Sequence, residues 1–518
     1  MVAVTTSYPG VYVTEVPSGV RTISGAATSV AAFVGRTQRG PVGTPVLVNS
    51  YADYGRQFGG LWKDSPVSYA VRDFFANGGG QAVIVRLITT GSDAKKSGAT
   101  TWTLPASSGN NPLVLVAAEP GSWADRLEVT VTRPSDETSP LFELTAADPD
   151  RGIREVFRNL TVSDGPRKVD QVLASDSQLL RVKDGDAAPS APPKAFPAKP
   201  AAADQPTAGL DGTNLATTDY HSSTGTFITD HKGLYALDHA DFNLLCVPMP
   251  GALVADLKTV YDAALTYCVK RRAVLVVDPP ARQSTDQPVV HATGALGGLG
   301  LAGERARNAV LYYPRIRQSD EFAEGRLGTF VACGVMAGLI ARTDATRGVW
   351  KAPAGVDATL SGVSDLDVPL TDAEIGQLNA LGINVLRTLP GVGPVSWGAR
   401  TMRGGDQYGD EYRYLPVRRL ALHIEETLFR GTQWVVFEPN AEPLWAQIRL
   451  NVGAFLNGLF RQGAFAGATS REAYFVKCDK DTTTAQDVDN GRVNIQVGFA
   501  PLRPAEFVVL SLQQIAQA

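Results

Sequence analysis

Histidine is scarce in this 518-residue chain, with five, and cysteine and methionine number four each. The histidines, His221, His231, His239, His291 and His423, form no HExxH or other metal-ligand spacing, so no metal site is expected. Cys246, Cys268, Cys333 and Cys478 lie far apart with no CxxC pair, which excludes a disulfide scaffold and a zinc ribbon. They are expected to be reduced, mostly buried thiols of a protein made in the cytosol. Neither sign of charge is in excess: 48 Lys and Arg stand against 52 Asp and Glu. That balance argues against a nucleic-acid coat or a membrane-surface protein. Long apolar runs are missing too. The most apolar one, LGTFVACGVMAGLIA at 327–341, falls short of the ~20 residues of a membrane span and is bracketed by Arg326 and Arg342. Its Gly334 and Gly338 predict a buried helix packed closely on a neighbour. The N-terminus shows no basic or apolar leader pattern, so no secretory signal and no direct membrane insertion are expected.

Motifs of chemistry are equally thin. No GxxxxGK[ST] phosphate loop and no GxSxG elbow occurs. Gly298-Leu299-Gly300-Leu301-Ala302-Gly303 is a literal GxGxxG, but it lacks a preceding strand and a full following helix, so it reads as a loop. Asp278 ends an apolar strand and His291 follows thirteen residues on, the nearest approach to an acid and a base. On one helix, Arg418 with Glu425 and Arg419 with Glu426 are spaced as a solvated face or as inter-subunit pairs. No catalytic residue, cofactor or metal ligand is assigned.

What is present is an α/β (mixed α+β), multidomain pattern, on a length that suggests about three domains. Residues 1–24 form an arm whose Val11, Tyr12, Val13, Thr14, Glu15 and Val16 read as one strand, closed by Pro17, Ser18 and Gly19. An α/β middle domain is expected over 25–92 and 233–353. Its strands fall at 29–35, 82–88, 242–247, 273–278 and 309–313. Its helices fall at 65–77, with Ser65 as N-cap and Pro66 at the first position, and at 253–268. Between its halves, 93–232 reads as an inserted β-rich outer domain, with 187–206 as a solvent-exposed Pro/Ala loop. A C-terminal core, 354–500, begins with a helix at 371–381 carrying a Thr371–Glu374 capping box. Helices at 415–429 and 442–462 follow, the second with a stripe of Leu444, Ile448, Val452, Phe455, Leu456 and Leu459. The end is β: 473–478, 493–499, and an arm strand at 506–512 within a C-terminal arm, 501–518.

Several strings in order resemble the contractile phage tail sheath protein family: YPGVYVTEVPSG and ATSVAAFVGRTQRGP at the start, FGG at 58–60 and FFANGGG with VIVRL beyond it. Further on are GVWKAPAG at 348–355, INVLRTLPGVGPVSWGARTM at 383–402, FEPNAEPLWAQIRLNVGAFLNGLF at 437–460 and VNIQVGFAPLRPAEFVVLSLQQ at 493–514. Residues 93–232 carry little of the likeness. The resemblance implies a structural subunit, not an enzyme, that polymerises into six-fold rings stacked helically around an inner tube protein, with baseplate and terminator or cap proteins at the ends. It implies a C-terminal part facing the tube, insertions pointing outward, and contraction that drives the tube through a target envelope. One chain carrying both ends looks like the sheath of a phage tail, a tailocin or an extracellular contractile injection system, assembled in the bacterial cytoplasm and released by lysis or a dedicated route. The family's middle domain has been likened to subtilisin, but no matching triad stands here.

Both terminal strands are expected to join a neighbour's sheet, with Phe507, Val508, Val509, Leu510 and Leu512 forming the second arm. Pro17, Ser18, Gly19, Pro501 and Pro504 then act as hinges. Arg449, Arg461 and Lys480 are candidate tube-facing charges. The alternatives are a hydrolase on the middle domain, using Asp278 and His291, and a non-contractile surface-layer or capsid-like protein.

Overall fold

The computed structural model describes residues 22–89, 96–136, 138–200, 205–249, 251 and 253–509. The chain divides into two compact units, one of residues 29–342 and 354–408, the other of 1–28, 343–353 and 409–518.

The larger unit starts with β1 (Ala31–Gly35) and β2 (Val46–Val48), then α1 (Tyr51–Phe58), α2 (Pro66–Ala76) and β3 (Ala82–Arg86). The predicted cap of α2 forms: Ser65 Oγ accepts the Ser68 N–H at 3.1 Å, and Pro66 opens the helix where no N–H is needed. All five residues of β1 and of β3 are buried, the mark of parallel strands covered on both faces.

The chain then leaves the sheet for the insertion. Its neck is a pair of adjacent strands, where Gly98 and Leu210 exchange both backbone hydrogen bonds at 2.8 Å. The Arg86 guanidinium fastens the root by donating to the carbonyls of Gly40 at 2.8 Å and Pro120 at 2.6 Å. The insertion holds β4 (Thr101–Leu104), β5 (Leu113–Ala117), β6 (Glu128–Thr132), β7 (Phe142–Asp148), β8 (Ile153–Leu160), α3 (Val169–Asp176) and β9 (Leu180–Val182). They form two antiparallel three-stranded sheets, β4-β5-β9 and β6-β7-β8. Strict alternation of buried residues along β5 and β7 turns one face of each sheet inward, around Trp102, Leu115, Phe142 and Leu144. The Pro/Ala stretch departs from the expected free loop. Phe196 is buried in this core and exchanges backbone hydrogen bonds with Val131 at 2.9 and 3.0 Å. The segment is tied further where Ser107 N–H donates to the Pro192 carbonyl and Lys194 N–H to the Pro105 carbonyl, each at 2.8 Å, since a proline lacks the N–H but keeps its acceptor.

The insertion is also shorter than expected. Residues from about 214 onward, including the short helices α4 (Thr217–Tyr220) and α5 (Gly225–Thr229), lead back to the sheet, and Tyr220, Leu234 and Leu237 are part of its core. The sheet resumes with β10 (Leu244–Cys246), α6 (Val254–Lys270), β11 (Val274–Val277), α7 (Pro288–Leu299) and β12 (Ala309–Tyr313). After β13 (Ile316–Ser319), β14 (Leu327–Phe330), α8 (Cys333–Arg347), β15 (Asp365–Leu366) and α9 (Asp372–Ala380), it ends with β16 (Asn384–Leu389) and β17 (Gly393–Ser396). The order across its eight strands is β17-β16-β12-β11-β10-β1-β3-β2, parallel except at the two edge strands. Because β16 pairs in parallel with β12, residues 354–408 complete this unit instead of opening a separate C-terminal core. A small sheet, β14-β13-β15, stands beside it.

Alternation decides the layers. Ala32 and Val34 point to the face packed by α6, while Phe33 on the other face meets the Phe74 ring of α2 edge-on at 5.6 Å. The predicted close helix packing is present: a Cβ on Gly334 would sit 2.1 Å from the Ala70 carbonyl oxygen, and one on Gly338 2.4 Å from that of Phe74. The apolar run at 327–341 is thus a strand followed by a buried helix that touches α2 backbone to backbone.

The second unit contains α10 (Leu415–Gly431), α11 (Glu442–Arg461), the short α12 (Ser470–Ala473), β18 (Tyr474–Lys477), the short α13 (Ala485–Asp489) and β19 (Gln496–Phe499). The expected stripe of α11 is its core face, with Leu444, Ile448, Val452, Leu456 and Leu459 buried and Phe455 partly so. Arg419 departs from the expected pairing. It is buried and grips Asp344 with two nitrogens at 2.6 Å, while Glu426 pairs with Arg430 at 2.6 Å. Arg418 does meet Glu425, at 3.4 Å.

Two predictions follow from the sheet unit. Gly334→Ala lowers the stability of this unit by about 1–3 kcal/mol, since backbone cannot yield as a flexible side chain can; an unchanged denaturant midpoint contradicts the contact. Burial raises the Asp278 carboxyl from 3.8 to about 6. Between those values the unfolded chain binds fewer protons than the folded one, so this group's contribution to stability falls as pH rises through the window. Asp278→Asn therefore gains stability relative to the parent between pH 4 and pH 7, by about 1–3 kcal/mol, and a pH-independent difference between the two midpoints contradicts it.

Candidate assembly surface

The residues that suggested chemistry serve the fold. Asp278 Oδ1 accepts the N–H groups of Ala332 at 3.0 Å and Cys333 at 2.9 Å, so this carboxyl caps the N-terminus of α8. His291 lies on α7 with its ring 5.9 Å from that of Tyr313, and its Nδ1 has no partner. The GxGxxG string is the C-terminal end of α7, where Gly300 adopts a left-handed φ of 64°. A dinucleotide fingerprint needs the opposite end of a helix. All four cysteines are free and buried. Among the described residues no cluster of three or more His, Cys, Asp or Glu could hold a metal, and no helix is long and apolar enough to cross a membrane.

The feature without an internal purpose lies in the second unit. β18 and β19 pair antiparallel, Tyr474 with Phe499 through Lys477 with Gln496, and among the described residues no third strand joins them. A two-stranded ribbon is marginal alone and presents unpaired N–H and C=O groups along both outer edges. Its packing is held from below. Cys478 and Ala473, at the two ends of β18, are buried with Val452 and Leu456 of α11. Phe475 lies across the sheet on Gly498, where a Cβ would come within 2.2 Å of the ring. That ring remains 46% exposed.

The C-terminal segment beyond β19 is tied for a few residues and then released. Ala466 N–H donates to the Ala500 carbonyl at 2.8 Å, Pro501 bridges to Phe465, and the Tyr414 hydroxyl donates to Glu506 Oε2 at 3.4 Å. Pro501 is thus bridged to Phe465, and Pro504 lies half-buried. Phe507, Val508 and Val509 are 75%, 81% and 87% exposed and irregular, not a strand. A strand needs a partner, and among the described residues none pairs with this segment. Leu510 and Leu512 lie outside the described residues, as do Val11, Tyr12, Val13, Thr14, Glu15 and Val16 of the first arm and the Pro17-Ser18-Gly19 hinge.

The candidate tube-facing charges differ in freedom. Arg449 is engaged within the unit, donating to the Cys478 carbonyl and to Glu442 at 2.5 Å. Arg461 and Lys480 are exposed. Sequence reading missed Phe437, which is fully exposed at a left-handed φ of 70° in the connection between α10 and α11. An aromatic in that backbone region is a strained choice for a surface turn, and only the absence of a glycine or asparagine there could have flagged it.

A family described as "Phage tail sheath protein central domain" matches residues 217–402, and "Phage tail sheath C-terminal domain" matches 408–515. A third, "DUF2586, N-terminal domain", matches 9–293, more than half of the chain. A tail sheath protein of Vibrio phage KVP40 is 25% identical over 34% of this chain and 25% of its own length. A putative prophage major tail sheath protein of Pseudomonas aeruginosa (strain UCBPP-PA14) is 24% identical over 46% of this chain and 56% of its own length. The matches thus span about a quarter and about half of these two curated relatives. The fold is that of the sheath chain of an extracellular contractile injection system, the PVC sheath complex in its contracted state, with a TM-score of 0.59 at 23% identity over 99% of both chains. By these domains, in this order, the chain belongs to the phage tail sheath protein family.

Proposed function

We propose that the chain is the repeating subunit of a contractile sheath, polymerising helically in six-fold rings around an inner tube and shortening to drive that tube through a target envelope. The observation that carries this reading is the unfinished β18–β19 ribbon in a unit whose own C-terminal residues, Phe507 to Val509, are apolar and exposed. Open edges and spare strands in one polypeptide are complementary, and each subunit can supply what its neighbour lacks. Strand addition of four residues makes on the order of three or four backbone hydrogen bonds, each worth about 0.5–1.5 kcal/mol net. Repeated through a lattice, several kcal/mol per arm gives strong cohesion.

The division of labour follows. The arms, 1–16 and 507–518, keep neighbours linked, while the parallel-sheet unit moves as a rigid body during contraction. The insertion at 98–210 decorates the outside, and Arg461 and Lys480 offer charge to the tube. Baseplate and cap proteins are the partners at the two ends. Assembly takes place in the bacterial cytoplasm. Asp278 caps a helix, so the hydrolase reading loses its acid, and the protein acts as a structural element.

Deleting residues 1–19, or residues 507–518, leaves a folded chain by circular dichroism that forms no hollow tubes under negative-stain electron microscopy when co-expressed with its tube protein. Ordinary tubes from either deletion contradict the arm exchange.

A further inference from the structure

Three of the five histidines, His221, His231 and His239, fall within the stretch where the chain returns from the insertion to the sheet, and two of them meet. The rings of His231 and His239 stand with their centres 4.4 Å apart and their planes at 60°. His231 is half-buried and His239 exposed, so the pair is not core packing. The chain brings them together by doubling back: His231 takes a left-handed φ of 52°, and the 3-10 helix Gly233–His239 follows at once. No short metal-ligand motif spans residues eight apart, which is why the pair is invisible in the sequence.

The pair is held from behind. His231 Nδ1 lies 3.2 Å from Asp238 Oδ2. A carboxylate only accepts, so Nδ1 carries the hydrogen and the lone pair of the neutral ring is on Nε2. Asp238 Oδ1 in turn accepts the Tyr267 hydroxyl at 2.8 Å. Arg271 donates to the carbonyls of Leu237 at 2.8 Å and Ala240 at 2.6 Å, on either side of Asp238 and His239. A carboxylate behind an imidazole is the arrangement that orients histidine ligands of metal ions.

The spacing of the rings selects the ion. With a metal–nitrogen bond of about 2.0–2.1 Å, each ring centre stands about 3.2 Å from the ion. Two rings at a right angle about the ion then have centres about 4.5 Å apart, against about 5.2 Å at the tetrahedral angle. The observed 4.4 Å fits the right angle. Square-planar or tetragonal ligation suits copper(II) and nickel(II), and copper(II) binds nitrogen ligands the more tightly of the two. An exposed ring such as that of His239 changes rotamer readily to direct a nitrogen at the ion. We propose that His231 and His239 form a binding site for one copper(II) ion, with His231 ligating through Nε2 and water filling the remaining positions. The ion ties the turn at His231 to the 3-10 helix that leads toward β10.

The proposal goes beyond the assembly reading and is measured on the dilute, unassembled full-length chain without an affinity tag, so either can fail alone. Calorimetric titration with copper sulfate is expected to show one equivalent bound. His231→Ala and His239→Gln each weaken that binding about ten-fold or more. Zinc sulfate binds the parent about ten-fold or more weakly than copper. The electron paramagnetic resonance spectrum of the bound copper carries two imidazole nitrogens in the parent and one in His239→Gln. Should His231→Ala disturb the turn, His239→Gln decides, because it changes an exposed side chain. Copper affinity and spectrum unchanged in His239→Gln overturn the proposal, since the copper is then an adventitious ion only. Zinc bound as tightly as copper overturns the assignment of the ion, and a parent chain that takes up no copper overturns the site.

Discussion

Backbone N–H and C=O groups at the edge of a sheet must find partners, and that requirement shapes everything distinctive about this protein. In the larger unit it is met for the six inner strands of the main sheet, each of which has a neighbour on both sides. Six parallel strands lie inside an eight-stranded sheet whose two edge strands run antiparallel. In the second unit it is left open, because β18 and β19 stop at two strands. Three exposed apolar residues, Phe507 to Val509, and a ribbon of two strands are what a shared sheet between subunits would use, as proposed above.

The polar groups inside the sheet unit tell the complementary story. Asp278 stands where an enzyme on such a sheet would place an acid, at the end of β11, but its Oδ1 accepts the N–H groups of Ala332 and Cys333 at the start of α8. Arg86 is spent on the carbonyls that root the insertion, and Arg419, in the other unit, on Asp344 and on the Thr28 carbonyl at 2.8 Å. These buried charges hold segments distant in sequence in one arrangement.

Local rules made much of this legible. Ser65-Pro66 and Thr371-x-x-Glu374 announced helix starts, the apolar stripe announced the inner face of α11, and the Gly334–Gly338 spacing announced a helix pressed on its neighbour. Boundaries that depend on long-range pairing were not legible. No local signal tells that β16 lies beside β12, which moved residues 354–408 into the sheet unit, or that Gly98 and Leu210 form the neck of the insertion. The fate of Phe196 and Arg419 was hidden for the same reason, since a lone aromatic among prolines and a helical arginine read as exposed until their partners are placed. The arm segments illustrate a further limit. Strand propensity at 506–512 is real, but residues 506–509 are irregular and pair with no strand among the described residues.

The most direct test of the account is a helical cryo-electron microscopy reconstruction of the sheath assembled on its tube, resolved well enough to trace the strands around Tyr474–Lys477 and Gln496–Phe499. The account predicts that the ribbon becomes a four-stranded sheet, with one added strand from residues 11–16 and one from residues 507–512, both donated by other subunits. A ribbon that stays two-stranded, or is completed by its own chain's termini, would contradict it.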